Sequence, residues 1–151
     1  EIYTLSLHDA LPIYNFLNPI MERIRKKYIC KKQIKKGKPG LKESLKLFKA
    51  GYSIALMIDQ RVSEGEEVNF FEKKAYTTTI PAQFVKKFNC KVVPISIERV
   101  GNIRFKIKIF EPIEFSNNTS ISQITYQLNI WLEKEIIKNP SKWIWSHNRW
   151  K

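Results

Sequence analysis

Three polar residues follow directly on an apolar segment of strand length. Residues 54–58 are Ile, Ala, Leu, Met and Ile, and the next three are Asp59, Gln60 and Arg61. Such an apolar run is typical of a strand buried on both faces. Because ligands of open α/β sheets bind at the carboxyl ends of the strands, we predict that Asp59, Gln60 and Arg61 line a binding site. Asp59 equally suits a capping role in the turn after the strand, since its carboxylate readily accepts hydrogen bonds from nearby backbone N–H groups.

Two threonines precede a helix start further along the chain. Thr78 and Thr79 lie just before Pro81, and proline is favoured in the first turn of a helix. The free N–H groups of a helix start bind anions, so we predict that Thr78 and Thr79 also contribute to substrate binding. Taken alone, these patterns indicate only a polar edge on a buried sheet.

Apolar spacing and turn residues predict the elements that must position these side chains. Four helices are expected, at residues 18–28, 40–50, 79–88 and 120–138. Strands are expected at residues 52–58 and 68–71, with a hairpin formed by residues 91–99 and 103–110. The second arm of the hairpin alternates apolar with basic residues, which predicts one buried face and one wet face. The predicted fold class is α/β, with a mixed sheet flanked by helices.

The chain is strongly basic, with 27 Lys and Arg against 14 Asp and Glu and a formal net charge of +13. Residues 23–49 carry most of the excess, and Glu43 is the single acid among them. A field of this sign attracts anionic lipid head groups, phosphates, acidic carrier proteins or nucleic acid. The alternative is that the individual lysines only solvate the surface of a chain rich in Lys, Ile and Asn.

The order of the motifs is more specific than any one of them. Asp59-Gln60 is followed by a short Gly-containing loop, by Phe70-Phe71 and by the run 75–82, Ala-Tyr-Thr-Thr-Thr-Ile-Pro-Ala. This order resembles the lipid A biosynthesis acyltransferase family, a branch of the lysophospholipid acyltransferase superfamily. Residues 140–151 resemble the closing signature of that family, a proline followed by Trp-x-Trp-x-His-x-Arg-Trp-Lys. Two positions depart from the family pattern, since Glu72 replaces a usual glycine and Asn148 a common arginine.

The resemblance covers roughly residues 14–151 and implies a lipid-directed transferase. The implied reaction moves a fatty acyl chain from acyl carrier protein to a hydroxyacyl group of an anionic, Kdo-bearing lipid A precursor. It takes place on the membrane surface, at the cytoplasmic face of the inner membrane, without a metal or nucleotide cofactor. Arg25 matches an arginine implicated in stabilising the oxyanion, although Arg23 lies close enough to compete for that role. The alternative is that Arg25 is an exposed helix arginine without a catalytic role. Asp59 and Gln60 would then orient the acceptor sugar.

The catalytic motif of the resembled family is His-x-x-x-x-Asp/Glu, in which the acid supports a histidine that takes a proton from the acceptor hydroxyl. Neither His8 nor His147 has an acidic residue five positions later. We therefore expect residues 14–151 to be the C-terminal part of a single, incomplete acyltransferase domain that is inactive alone, with a membrane anchor and the dyad upstream. Residues 1–13 lack Lys and Asn and resemble translated adapter sequence, so we expect them to be non-native.

The terminal tryptophans, Trp143, Trp145 and Trp150, allow two interpretations. Amphipathic tryptophans beside basic residues suit a membrane–water interface, and they equally suit a tail docked on the domain. The competing functional class is a basic, aromatic-rich nucleic-acid-binding module, in which aromatic rings stack on bases while lysines follow the phosphates. No recognisable nucleic-acid-binding motif supports that class, so no nucleic-acid partner is expected.

Overall fold

The structure is a computed structural model that describes residues 2–5, 17–28, 33–34, 38–62, 65–146 and 148–150. For a few positions the description covers the backbone alone: residues 2–5, Asn18, Met21, Arg25, Gln33 and Lys38. The chain divides into two compact units, Glu1–Met57 and Ile58–Lys151.

The first unit combines a parallel sheet with two helices. Its elements are β1 (Ile2–Leu5), α1 (Asn18–Tyr28), β2 (Gln33–Ile34), α2 (Lys38–Lys49) and β3 (Ser53–Leu56). Strand β1 pairs in parallel with both β2 and β3, which gives the order β2-β1-β3. Both predicted helices are confirmed. Helix α2 ends at Lys49, and the φ of +89° at Gly51 allows the Tyr52 N–H to donate back to the Leu47 carbonyl at 3.2 Å.

One expectation for this unit is wrong. The strand expected at residues 52–58 is shorter, and its residues 54–56 are only half-buried while Ser53 is exposed, so β3 is not buried on both faces. Residues 1–13, which we expect to be non-native, include Ile2–Leu5, and these four residues form the strand between β2 and β3. The sequence Ile-Tyr-Thr-Leu favours extended backbone, and a strand edge pairs with any chain that offers free backbone groups. Strand pairing of this kind does not depend on where the paired residues come from. The non-native origin of residues 1–13 therefore stays a prediction.

The described part of the second unit contains two hairpins, two α-helices and a short 3-10 helix. Its elements are β4 (Glu66–Phe70), β5 (Lys73–Thr77), α3 (Ile80–Phe88), β6 (Ile95–Arg99), β7 (Phe105–Ile109), α4 (Ile121–Lys138) and a short 3-10 helix (Pro140–Lys142). Together with the first unit, this gives the mixed α/β architecture that the sequence predicts. One core cluster joins α3 to α4 through Ala82, Val85, Ile124 and Leu128.

Helix α4 is held by the features that made it the clearest sequence prediction. Ser120 is its N-cap and forms a capping box with Gln123, in which each side chain accepts from the backbone N–H of the other residue. Ile124, Leu128 and Ile136 are buried along one side of the helix. These three side chains of α4 therefore pack in the core.

Strand β5 was missed in the sequence because its residues Lys73 and Lys74 look like a hydrated loop. It pairs antiparallel with β4, with Phe70 opposite Lys73, so that Phe71 and Glu72 form a two-residue turn. Both turn residues have positive φ, +48° for Phe71 and +62° for Glu72, as a type I′ turn requires. The Phe71 N–H donates to Glu133 Oε1 of α4 at 2.8 Å. This hydrogen bond to α4 helps to hold the turn, because phenylalanine and glutamate do not favour positive φ.

Replacing Glu72 by glycine is expected to raise the free energy of unfolding by about 0.5–1 kcal/mol, since glycine adopts positive φ without steric cost. Urea denaturation followed by tryptophan fluorescence measures the change. Glu67→Gly is the matched control, because Glu67 is an exposed residue in the middle of β4. There the same substitution should destabilise by roughly 1 kcal/mol. Equal effects at the two positions would contradict the strain at Glu72.

The second hairpin confirms the predicted pairing but not the predicted burial. Strands β6 and β7 pair antiparallel, with Ile95 opposite Ile109 and Ile97 opposite Ile107. The apolar side chains on this side are 51% to 69% exposed, and we call them the hairpin face: Ile95, Ile97, Phe105, Ile107 and Ile109. The expectation of one buried face is therefore wrong, because alternation specifies which residues share a face but not whether another element covers it.

Candidate functional site

The two motif regions that stood far apart in the sequence meet in the second unit. Phe70, at the end of β4, is completely buried. Its ring centroid lies 5.8 Å from that of Trp143 and 5.6 Å from that of Trp150. The Trp150 indole N–H donates to the Phe70 carbonyl at 2.9 Å. The C-terminal segment is thus docked on the β4–β5 hairpin, which decides between the two interpretations of the terminal tryptophans for Trp143 and Trp150.

Arg149 forms the centre of this contact. Its side chain is 1% exposed, and its guanidinium carbon lies 4.0 Å from the centroid of the Phe70 ring. Its Nη2 donates to Asn129 Oδ1 at 2.9 Å and to Thr77 Oγ1 at 3.2 Å. We call the buried group that these contacts join the Arg149 cluster: Phe70, Thr77, Asn129, Trp143, Arg149 and Trp150.

The polar groups around Arg149 form a network of hydrogen bonds. Asn129 Nδ2 donates to the Asn69 carbonyl at 3.1 Å and to Thr77 Oγ1 at 3.2 Å. The Thr77 hydroxyl donates in turn to the Ala75 carbonyl at 3.2 Å. A buried polar network of this kind stabilises a fold only while its members stay paired. The network therefore fixes the relative positions of β4, β5, α4 and the C-terminal segment.

Burial and the charges of two carboxylates shift the pKa of Arg149 in opposite directions. Desolvation lowers the pKa of Arg149 to about 10, while the charges of Asp59 and Glu133 oppose that shift. A pKa near 10 keeps the guanidinium protonated at neutral pH. Arg149 Nε and Nη1 are buried, and none of the described residues accepts a hydrogen bond from them. The carboxylate of Asp59, at the end of the predicted strand segment, thus lies in the field of a buried cation.

Asp59, Gln60 and Arg61 lie at the beginning of the second unit. Asp59 and Gln60 form a bend and are half-buried, whereas Arg61 is exposed. The three residues therefore differ in their access to solvent, although the sequence presents them as one cluster. Their role in substrate binding stays a prediction.

Thr78 and Thr79 lie at the start of α3, as predicted. Thr78 is buried, and its hydroxyl accepts from the Ile80 N–H at 3.4 Å. Thr79 is the N-cap, and its hydroxyl accepts from Gln83 Nε2 at 2.8 Å. Pro81 and Ala82, which follow, are buried. Both hydroxyls are thus engaged by α3 itself, and the predicted contribution of Thr78 and Thr79 to substrate binding rests on the sequence.

The remaining predicted residues cannot be placed against this geometry. Arg25 lies on α1 of the first unit, where the description covers its backbone, and His8 and His147 lie outside the described residues. In the part of the chain that is described, no group of three or more His, Cys, Asp or Glu side chains could hold a metal ion.

Sequence reasoning missed Thr77, Asn129 and Arg149 as parts of one buried network. The terminal signature carried the signal, since an arginine between aromatic residues suits stacking and bidentate contacts. Asn129 gave a weaker signal, because it follows Leu128 on the apolar side of α4, where an amide needs a hydrogen-bond partner.

Comparison with known proteins bears directly on this network. A sequence model of one family, described as bacterial lipid A biosynthesis acyltransferase, matches residues 13–151. The chain belongs to this family. The matched range contains both the Phe70-Phe71 region and the terminal signature, so the Arg149 cluster lies wholly inside the acyltransferase segment. A search of curated proteins found no relative with a significant match.

In this member of the lipid A acyltransferase family, two helices of the first unit carry exposed basic side chains. The described helices of the acyltransferase segment include none that is long and apolar enough to cross a membrane. Exposed basic side chains on α1 and α2 are Arg23, Lys26, Lys27, Lys42, Lys46 and Lys49. These helices present positive charge that phosphate or carboxylate groups would complement.

Proposed function

We propose that this segment belongs to a transferase that moves a fatty acyl chain from acyl carrier protein to a Kdo-bearing lipid A precursor. The observation that carries the proposal is the family match over residues 13–151. The reaction would take place at the cytoplasmic face of the inner membrane, where the lipid acceptor presents its sugar and phosphate groups to a peripheral surface of the protein. The proposed reaction needs no metal or nucleotide cofactor.

Charge supports the choice of partners. Acyl carrier protein is acidic and the lipid A precursor is phosphorylated, and both would be attracted by a chain of formal net charge +13. The basic residues on α1 and α2 are exposed and so can meet such partners without rearrangement. Attraction of this kind raises the rate of association more than it fixes specificity.

The site residues divide the reaction between them in this proposal. Arg25 donates to the oxyanion that forms when the acceptor hydroxyl attacks the acyl thioester. Asp59, Gln60 and Arg61 form a wall for the acceptor, and Thr78 and Thr79 contribute at the start of α3. Arg149 supports this wall electrostatically, because its buried charge attracts the Asp59 carboxylate.

The nucleic-acid alternative requires aromatic rings free to stack on bases. Phe70, Trp143 and Trp150 instead pack with one another in the Arg149 cluster, and Phe110 packs edge-on against Trp131. These packed rings are not free to stack on bases, and no specific observation favours this second function.

The purified 151-residue chain is expected to transfer no acyl group, because neither of its histidines has the spaced acid that a proton-accepting dyad needs. The assay mixes acyl carrier protein bearing a radiolabelled acyl chain with a Kdo-bearing lipid A precursor and follows label in the lipid. A longer polypeptide from the same gene that includes a spaced histidine–acid pair is the positive comparison. Transfer by the 151 residues alone would overturn the inactivity, and no transfer by the longer polypeptide would overturn the proposed function.

A further inference from the structure

Helix α1 presents an apolar stripe to solvent. Every side chain of residues 17–28 that the structure describes is exposed. Four of them are large and apolar, and their exposed fractions range from 39% to 71%. We call them the α1 stripe: Leu17, Ile20, Ile24 and Tyr28.

The spacing of the α1 stripe makes the helix amphipathic. Steps of three, four and four residues place the four side chains on one side of the helix. Arg23 and Lys27 each follow a stripe isoleucine by three residues and so lie beside the stripe. Lys26 lies on the opposite face, where its Nζ is 3.8 Å from Glu22 Oε2. The stripe is therefore apolar at its centre and cationic along one border.

A helix of this length needs a surface to pack on. Isolated helices shorter than about 12–15 residues are marginal in water, and α1 has 11 residues. The flanking charge selects the kind of surface, because three exposed cations and a single acid occur among the described side chains of α1. An apolar stripe with cationic borders complements the interface of a bilayer that carries anionic lipids.

We propose that α1 docks on an anionic bilayer surface. The helix lies parallel to the membrane plane, the α1 stripe enters the boundary between head groups and acyl chains, and Arg23 and Lys27 meet lipid phosphates. This inference deepens the proposed function, on which it rests, by naming the surface that brings the protein to its lipid acceptor. A docked α1 spans about 16 Å, enough to contact several lipids.

The hairpin face supplies a matched comparison within the same chain. It is apolar and exposed to a similar degree, but Lys106 and Lys108 pair across the strands with Glu98 and Ser96 on the opposite side of the hairpin. A membrane that covered the hairpin face would leave these two lysines pointing away from its phosphates. One cation, Arg99, lies on the same side, opposite Phe105 at one end of the hairpin. The hairpin face therefore lacks the cationic border that runs along the α1 stripe.

Vesicle flotation tests the proposal with the full chain. We expect binding to vesicles of phosphatidylethanolamine and phosphatidylglycerol, and at least tenfold less binding to phosphatidylcholine vesicles. The double variant Ile20→Glu/Ile24→Glu should reduce the bound fraction at least tenfold. The variant Ile97→Glu/Ile107→Glu changes the net charge equally on the hairpin face and should stay within twofold of the parent. Circular dichroism checks that both variants fold.

Hydrogen exchange gives a second readout, because amides of residues 18–28 should exchange at least tenfold more slowly when vesicles are present. Equal losses in the two variants, undiminished binding after Ile20→Glu/Ile24→Glu, or unchanged exchange in α1 would each overturn the proposal. So would a dimer, detected by light scattering, that the α1 substitutions dissociate. Acyl transfer in detergent micelles by the longer polypeptide separates the two claims. Transfer by the longer polypeptide without vesicle binding by the 151-residue chain would overturn only the docking surface. Vesicle binding by the 151-residue chain without transfer by the longer polypeptide would overturn only the proposed function.

Discussion

Replacing Arg149 by alanine is expected to lower the free energy of unfolding of the second unit by about 3 kcal/mol. The substitution removes the donor to Asn129 Oδ1, opens a cavity beside Phe70 and leaves the Asp59 and Glu133 carboxylates without their buried counter-charge. The substitution also removes the energetic cost of keeping a cation buried, and this offsets part of the loss of stability. Urea denaturation reports the change through the fluorescence of Trp143 and Trp150, which lie in the same cluster.

Arg99→Ala is the matched control for Arg149. The Arg99 guanidinium lies 5.2 Å from the Phe105 ring centroid, a contact of the same kind, but both side chains are exposed. The expected cost is below about 0.5 kcal/mol. Arg149→Met separates packing from charge, because methionine fills the space without hydrogen bonds, and its expected cost is roughly 1–2 kcal/mol. A cost for Arg149→Ala no greater than for Arg99→Ala would show that the cluster does not hold the C-terminal segment.

Replacing Phe70 by alanine is expected to cost about 4 kcal/mol, the largest effect of a single substitution in the second unit. The Phe70 ring is completely buried and lies against Phe71, Trp143, Arg149 and Trp150. Its loss leaves a cavity that rigid indole rings cannot collapse to fill, so the full cavity cost applies. The same urea titration measures it, and near-ultraviolet circular dichroism should lose the signal of the packed aromatic rings.

Phe105→Ala serves as the control, since Phe105 is 57% exposed on the hairpin face and its removal should cost less than about 1 kcal/mol. The double variant of Phe70 and Arg149 adds a sharper test. Because the two side chains touch, the two losses should not add, and the double variant should cost at least 1 kcal/mol less than their sum. Additive losses would mean that the two motif regions are stabilised independently.

Local patterns were enough to predict most of the elements. Helix α4 could be placed from Ser120, from Pro140 and from the spacing of apolar residues between them, because capping and helical periodicity are short-range effects. The pairing of β6 with β7 followed from alternation around Gly101 for the same reason. Strand β5 escaped prediction because Lys73 and Lys74 become strand residues only through pairing with β4. Its turn is also atypical, since Phe71 and Glu72 adopt the positive φ that glycine or asparagine usually provides.

Exposure was the property that the sequence predicted least well. Alternation correctly grouped Ile95, Ile97, Ile107 and Ile109, but burial depends on what another element places over that face. The same holds for the α1 stripe. Its amphipathic spacing can be read from the local sequence, whereas its exposure depends on the tertiary structure.

The sequence by itself determined the family, the basic character and the residues that make up the motifs, because these depend on residue type and order alone. The tertiary structure decided that Phe70, Thr77 and Arg149 form one buried cluster. More than seventy positions separate Phe70 from Arg149 along the chain, and no local rule links residues so distant. Direct contacts of Arg149 and Trp150 with Phe70, together with Asn129 of α4 as a shared hydrogen-bond partner, bring the two motif regions together.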